Sequence, residues 1–67
     1  MKNLIKVERA RNNITQAELA DKVKVSRQTI NSIETGKFIP STLLAFKIAY
    51  VLQVAVDTVF QLEDSDW

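Results

Sequence analysis

The chain has 67 residues, 46% of them hydrophobic, with nine basic and eight acidic side chains and a net charge of +1. That length allows one domain, residues 1–67, and the absence of cysteine and histidine excludes disulfides, thiolate metal sites and the commonest general base. No apolar run approaches the roughly 20 residues that span a bilayer, and charges at Lys6, Glu8, Arg9 and Arg11 leave no signal-peptide core, so a cytoplasmic protein without cofactor, metal or membrane partner is expected.

One Gly and one Pro, with cap-type residues ahead of apolar-periodic stretches, predict helices joined by short turns. The first helix is expected from about Asn3 to Asn12. Its apolar set, Leu4, Ile5, Val7 and Ala10, is imperfect, and Glu8 falls where a core-facing helix prefers Leu. Thr15-Gln16-Ala17-Glu18 fits a capping box opening a second helix, with Leu19, Ala20 and Val23 on its inner face. After a tight Lys24-Val25 turn, Ser26 caps a third helix through about Thr35, with Ile30 and Ile33 inward and Gly36 ending it. Ser41 caps a fourth helix to about Leu52, with Leu44, Ala45, Ile48, Ala49 and Leu52 at helical spacing. A last helix is expected over roughly Val56 to Leu62, then a polar tail over about residues 63–67.

Gln16 to Thr35 carries the chemistry. Two helices that cross at a steep angle and touch need a very small residue at the crossing, and Ala20 supplies it. With Leu19, Ala20, Val23, Val25, Ile30 and Ile33 turned inward, Arg27, Gln28, Asn31 and Ser32 remain outward. Arg pairs bidentately with guanine O6 and N7, Gln or Asn pairs with adenine N6 and N7, and Ser donates or accepts. The first turn of this helix carries no acid, so its positive dipole end, around Ser26 and Thr29, is open to a phosphate. Charge is also unevenly placed: all nine basic residues lie before Ile48 with only four acidic ones, while Ile48–Trp67 holds four acidic residues and no basic one. Such a split predicts that one part of the domain faces a polyanion.

Thr15-Gln16-Ala17-Glu18-Leu19-Ala20, Val25-Ser26-Arg27-Gln28-Thr29-Ile30 and Ile33-Glu34-Thr35-Gly36 resemble the Cro/CI-type (XRE) helix-turn-helix family, which includes the phage repressors and many small prokaryotic regulators. The likeness extends through Pro40-Ser41 and the Val56-Asp57…Phe60 ending, and is strongest to very short stand-alone members. It implies an all-α, five-helix, lambda-repressor-like domain. By the same resemblance, Gln16 bonds a phosphate and braces the third helix, and Lys37 with the loop amides near Phe38 holds the adjacent DNA backbone. It also implies that Arg9 pairs with Glu34. Where the family has Gly in the turn this chain has Lys24; Gln53 likewise replaces a helix-ending Gly, and Ala55 a capping Ser.

The resulting expectation is a non-enzymatic, sequence-specific binder of double-stranded DNA. It would act as a homodimer on a palindromic operator and regulate transcription as a repressor, with no small-molecule effector. Phe46, Tyr50, Phe60 and Leu62 are the candidate dimer interface. The alternative is a protein–protein interaction module or antitoxin on the same fold.

Overall fold

The computed structural model describes all residues 1–67. Five helices form: α1 (Ile5–Asn12), α2 (Gln16–Val23), α3 (Arg27–Glu34), α4 (Thr42–Leu52) and α5 (Val56–Val59). Two short strands, β1 (Lys2–Asn3) and β2 (Phe60–Gln61), flank this set. They pair antiparallel, with Lys2 opposite Gln61 and Asn3 opposite Phe60. The Leu4 amide adds a bond to the Val59 carbonyl at 2.8 Å.

This pairing changes two of the expected boundaries. Lys2 and Asn3 are drawn into the ladder, so α1 starts at Ile5 and not near Asn3. The last helix is a single turn that ends at Val59, because Phe60 and Gln61 extend to meet β1. Residues Asp64–Asp66 then form one 3-10 turn, with the Met1 amino nitrogen 2.9 Å from Asp66 Oδ1 and 3.3 Å from Glu63 Oε1.

Local capping fixes the other helix ends. Thr15 and Glu18 form the expected capping box: the Glu18 amide donates to Thr15 Oγ1 and the Thr15 amide to Glu18 Oε1, both at 3.0 Å. Ser26 Oγ accepts from the Thr29 amide at 3.1 Å and Ser41 Oγ from the Leu44 amide at 3.2 Å. Ala55 has no hydrogen-bonding group to cap α5.

At the C-terminal ends the chain enters the left-handed region at Asn13 (φ 57°), Lys24 (φ 65°), Gly36 (φ 80°) and Gln53 (φ 60°). Gly36 does so without cost and Asn13 at little, whereas Lys24 and Gln53 carry a Cβ against the carbonyl that follows.

The core is one cluster drawn from every helix: Ile5 from α1, Leu19, Ala20 and Val23 from α2, Ile30 and Ile33 from α3, Leu44, Ile48, Ala49 and Leu52 from α4, Val59 from α5, and Phe60 just beyond it. Of its apolar set, α1 buries only Ile5. Ile5 and Glu8 are buried with Arg9 and Asn12 half-buried, while Val7 and Ala10 face solvent. Polar bonds hold this face in place: Asn12 Nδ2 donates to the Leu52 carbonyl at the end of α4 at 2.9 Å, and Arg11 reaches Glu8 at 3.4 Å. Phe60 is 7% exposed and belongs to the monomer core. This corrects its assignment to a subunit interface: β2 aims the ring beneath the helices, and Phe46, Tyr50 and Leu62 remain the exposed members of that set.

Two stability outcomes follow. Lys24→Gly and Gln53→Gly each relieve a left-handed non-glycine residue, less the entropy glycine adds to the unfolded chain. Each should raise the unfolding free energy by about 0.5–1 kcal/mol, read from the urea midpoint. Separately, the Thr15 amide, then its hydroxyl, hold the Glu18 carboxyl below its ordinary value of 4.5. A depressed carboxylate contributes stability above that pH and loses it as pH falls through the folded-state value. Glu18→Gln keeps the cap bond without the titration, so its urea midpoint should fall less than that of the parent chain on acidification below about pH 4.5.

Candidate nucleic-acid interface

Eight residues make α3, too few for a stable helix in isolation, so its position is set by what it packs against. Ile30 and Ile33 form a wedge three residues apart, both buried against Leu19, Ala20 and Val23 of α2. Ala20 is small enough to let the two axes approach, and the intervening Lys24–Ser26 segment turns on the left-handed Lys24.

The end of α3 is tied down from the far side of the domain. Arg9 Nε donates to Glu34 Oε2 at 2.8 Å and Arg9 Nη2 to Glu34 Oε1 at 3.2 Å, a bidentate pair. Arg9 Nη1 also reaches the Ile14 carbonyl at 3.2 Å. The side chains of this pair are only 15% and 8% exposed, so it is a structural tie and not a solvated surface contact.

Asn3 supplies a fixing point that the sequence did not suggest. Its Nδ2 donates to the Ile33 carbonyl at 3.0 Å and lies 3.5 Å from the Glu34 carbonyl, while its Oδ1 accepts from the Ile5 amide at 3.3 Å. Only the β1–β2 pairing brings Asn3 to that helix end, and two-residue strands leave no alternation to read.

With Ile30 and Ile33 inward, the opposite side of α3 is free. Arg27, Gln28 and Asn31 are exposed and Ser32 is half-buried; all four lie along one side, and no acidic residue stands in the first turn. Gln16, at the start of α2, donates from Nε2 to Asn31 Oδ1 at 3.2 Å. This bond fixes the Asn31 amide while leaving its NH₂ free to donate outward. Ser26 and Thr29 hydroxyls lie 2.9 Å apart at the head of the helix.

Ser26, Gln28, Thr29, Ser32, Lys37 and Phe38 line an open concavity of about 300 Å³ beside this face. The loop differs from expectation in one respect. The Lys37 and Phe38 amides both donate to the Ser32 carbonyl, at 2.9 and 3.2 Å, so neither is free for a phosphate. The Lys37 side chain makes no ion pair and stands as the free cation of this concavity. Phe46, Tyr50 and Leu62 lie outside this face, on the outer side of α4 and beyond β2.

A helix-turn-helix family model matches residues 5–59, from the start of α1 to the end of α5. The chain belongs to the XRE-type helix-turn-helix family. It is 52% identical over 66 residues to an HTH-type transcriptional regulator of Methanocaldococcus jannaschii, covering 98% of this chain and 100% of that relative. It is 42% identical over 66 residues to an HTH-type transcriptional regulator of Bacillus subtilis, with the same coverage, and 42% identical to one of Archaeoglobus fulgidus over 98% of this chain and 93% of the relative. Within this helix-turn-helix frame α3 occupies the second-helix position, and α1 with β1 forms the brace behind it. No helix is long and apolar enough to cross a membrane.

Removing one member of the Arg9–Glu34 pair leaves a largely desolvated charge without its counterpart. Glu34→Ala should therefore cost about 2–4 kcal/mol of stability. Arg9→Met combined with Glu34→Leu should cost less than that single change, because an apolar pair carries no desolvation penalty. Urea titration of the three proteins checks both; equal losses for Glu34→Ala and the double variant would refute the tie.

Proposed function

We propose that this protein binds double-stranded DNA sequence-specifically as a homodimer, in the cytoplasm, and represses transcription by occluding a palindromic operator. The observation that carries the reading is the outward side of α3. Arg27, Gln28 and Asn31 are exposed, with the half-buried Ser32 beside them, on a short helix anchored at both ends and with no carboxylate among them. Relatives similar over nearly the whole chain are named HTH-type transcriptional regulators, which supports the same conclusion.

In the mechanism, phosphate contacts set the register and give salt-dependent affinity, and side chains on α3 choose the sequence. Gln16, Ser26, Thr29 and Lys37 supply hydrogen-bonding groups and a charge around the base-reading side, positioned for phosphates on either edge of a major groove. Arg27 suits guanine; Gln28 and Asn31 suit adenine. One such helix reads only a few base pairs. Two copies related by a two-fold axis read half-sites about 34 Å apart, which gives the operator its palindromic form. A protein-interaction module or antitoxin is less well supported, because this side of α3 carries Arg, Gln, Asn and Ser where stable protein interfaces concentrate aromatic anchors.

Selection of sites from random duplex DNA, followed by titration at several salt concentrations, tests the assignment. Gln28→Ala should relax preference at one position of each half-site, with a discrimination loss of about 1–3 kcal/mol. Lys37→Ala should weaken all sequences alike and reduce the salt slope by roughly one for each Lys37–phosphate contact removed. Absence of any salt-dependent duplex binding would overturn the reading.

A further inference from the structure

The outer side of α4 carries a second surface that the DNA-reading role leaves unused. Lys22, Lys24, Phe46, Lys47, Tyr50 and Val51 line a groove of about 600 Å³ there. It adjoins a concavity of about 830 Å³ that shares Lys22, Tyr50 and Val51 with it. Tyr50 is 86% exposed and Phe46 is also open to solvent. The three lysines make no ion pair. An aromatic floor between unpaired cations suits an occupant that is both acidic and apolar.

The same chain contains such an occupant. Leu62 and Trp67 are exposed, the latter at 92%, and between them lie Glu63, Asp64 and Asp66. The 3-10 turn at Asp64–Asp66, closed by the Glu63 amide on Asp66 Oδ2 at 2.7 Å, makes this segment a formed knob and not a loose end. In the monomer its carboxylates form ion pairs only with the Met1 amino group and none with the three lysines.

We propose that Leu62–Trp67 of one copy docks into the Lys22–Lys24–Lys47 groove of a second copy, seating Trp67 against Phe46 and Tyr50. Asp64 and the half-open Glu63 then face the three lysines, Asp66 staying bonded to Met1 and the Glu63 amide, and the apolar groups exposed on both surfaces are covered together. Packing α4 against α4 across a two-fold axis is disfavoured, because it sets the lysines of each copy against those of the other. Exchanged reciprocally, the knob-and-groove contact closes a pair and forms no open filament. This pairing rests on the homodimer proposed above.

Trp67 is the only tryptophan, so its emission reports on this contact directly. Sedimentation velocity and Trp67 emission measured over one concentration series should move together, with a blue shift as dimer forms. Lys47→Glu and Asp64→Lys should each weaken self-association roughly tenfold, as rim-charge repulsion does, and the two combined should restore it. Both sites are exposed, so neither change threatens the fold. A dimer whose Trp67 emission stays solvent-like and which ignores Lys47→Glu overturns this pairing and leaves the homodimer standing. A chain that is monomeric throughout and on operator DNA overturns both. A mixed-sequence single-stranded oligonucleotide that binds the monomer and loses affinity with Lys47→Glu assigns the groove to nucleic acid and overturns the pairing.

Discussion

An eight-residue helix has too few internal hydrogen bonds to repay its own nucleation, so α3 must be held in place from outside. Ties from three other elements, α1, α2 and β1, answer that constraint. Ile30 and Ile33 press its inner side into α2 across Ala20, and Ser26 caps its start. Arg9 and Asn3 grip its last turn from two different elements. Gln16 then locks one of the outward side chains from the neighbouring helix. Rigidity comes from contacts behind and at the ends, so the outward side carries none of the packing.

The parts of this arrangement that were legible in the sequence obey local rules. The Thr15–Glu18 box, the Ser26 and Ser41 caps, the Gly36 stop and the inward spacing of Ile30 and Ile33 each rest on residues within one turn of each other. Lys24 and Gln53 could be recognised as occupying glycine-type positions through the family resemblance, which places Gly at both. The fold class and the outward set on α3 follow from these.

What was not legible depends on partners far along the chain. The inward side of α1 reads Ile5, Glu8, Arg9 and Asn12, a helical spacing written mostly in polar residues. The family resemblance alone implied that Arg9 meets Glu34, and Asn12 makes sense only once the Leu52 carbonyl is known to lie opposite. Burying such groups is tolerable because they are bonded, and no buried side-chain polar atom is left without a partner. Phe60 was ambiguous for a different reason: an apolar residue just past a last helix reads equally well as core or as interface, and only the pairing of Phe60 with Asn3 decides it. The Lys37 and Phe38 amides were misjudged because the glycine turn bends them back onto Ser32.

The charge division takes on a physical role in this setting. Arg9 and Arg11 are neutralised within the monomer by Glu34 and Glu8, so the basic excess available for intermolecular contact is carried by lysines and Arg27. Lys37 and Arg27 lie at the α3 side, whereas Lys22, Lys24 and Lys47 border the α4 groove. On the proposed dimer, acidic knobs neutralise the second set and leave the first to DNA. Self-association of this kind uses a small, partly electrostatic surface, and exposed ion pairs contribute little individually. The pair should therefore be weak away from DNA and strengthened on it, since two half-sites hold two copies at high effective concentration. Operator occupancy then rises more steeply than in proportion to protein concentration. The protein can in this way respond to its own abundance.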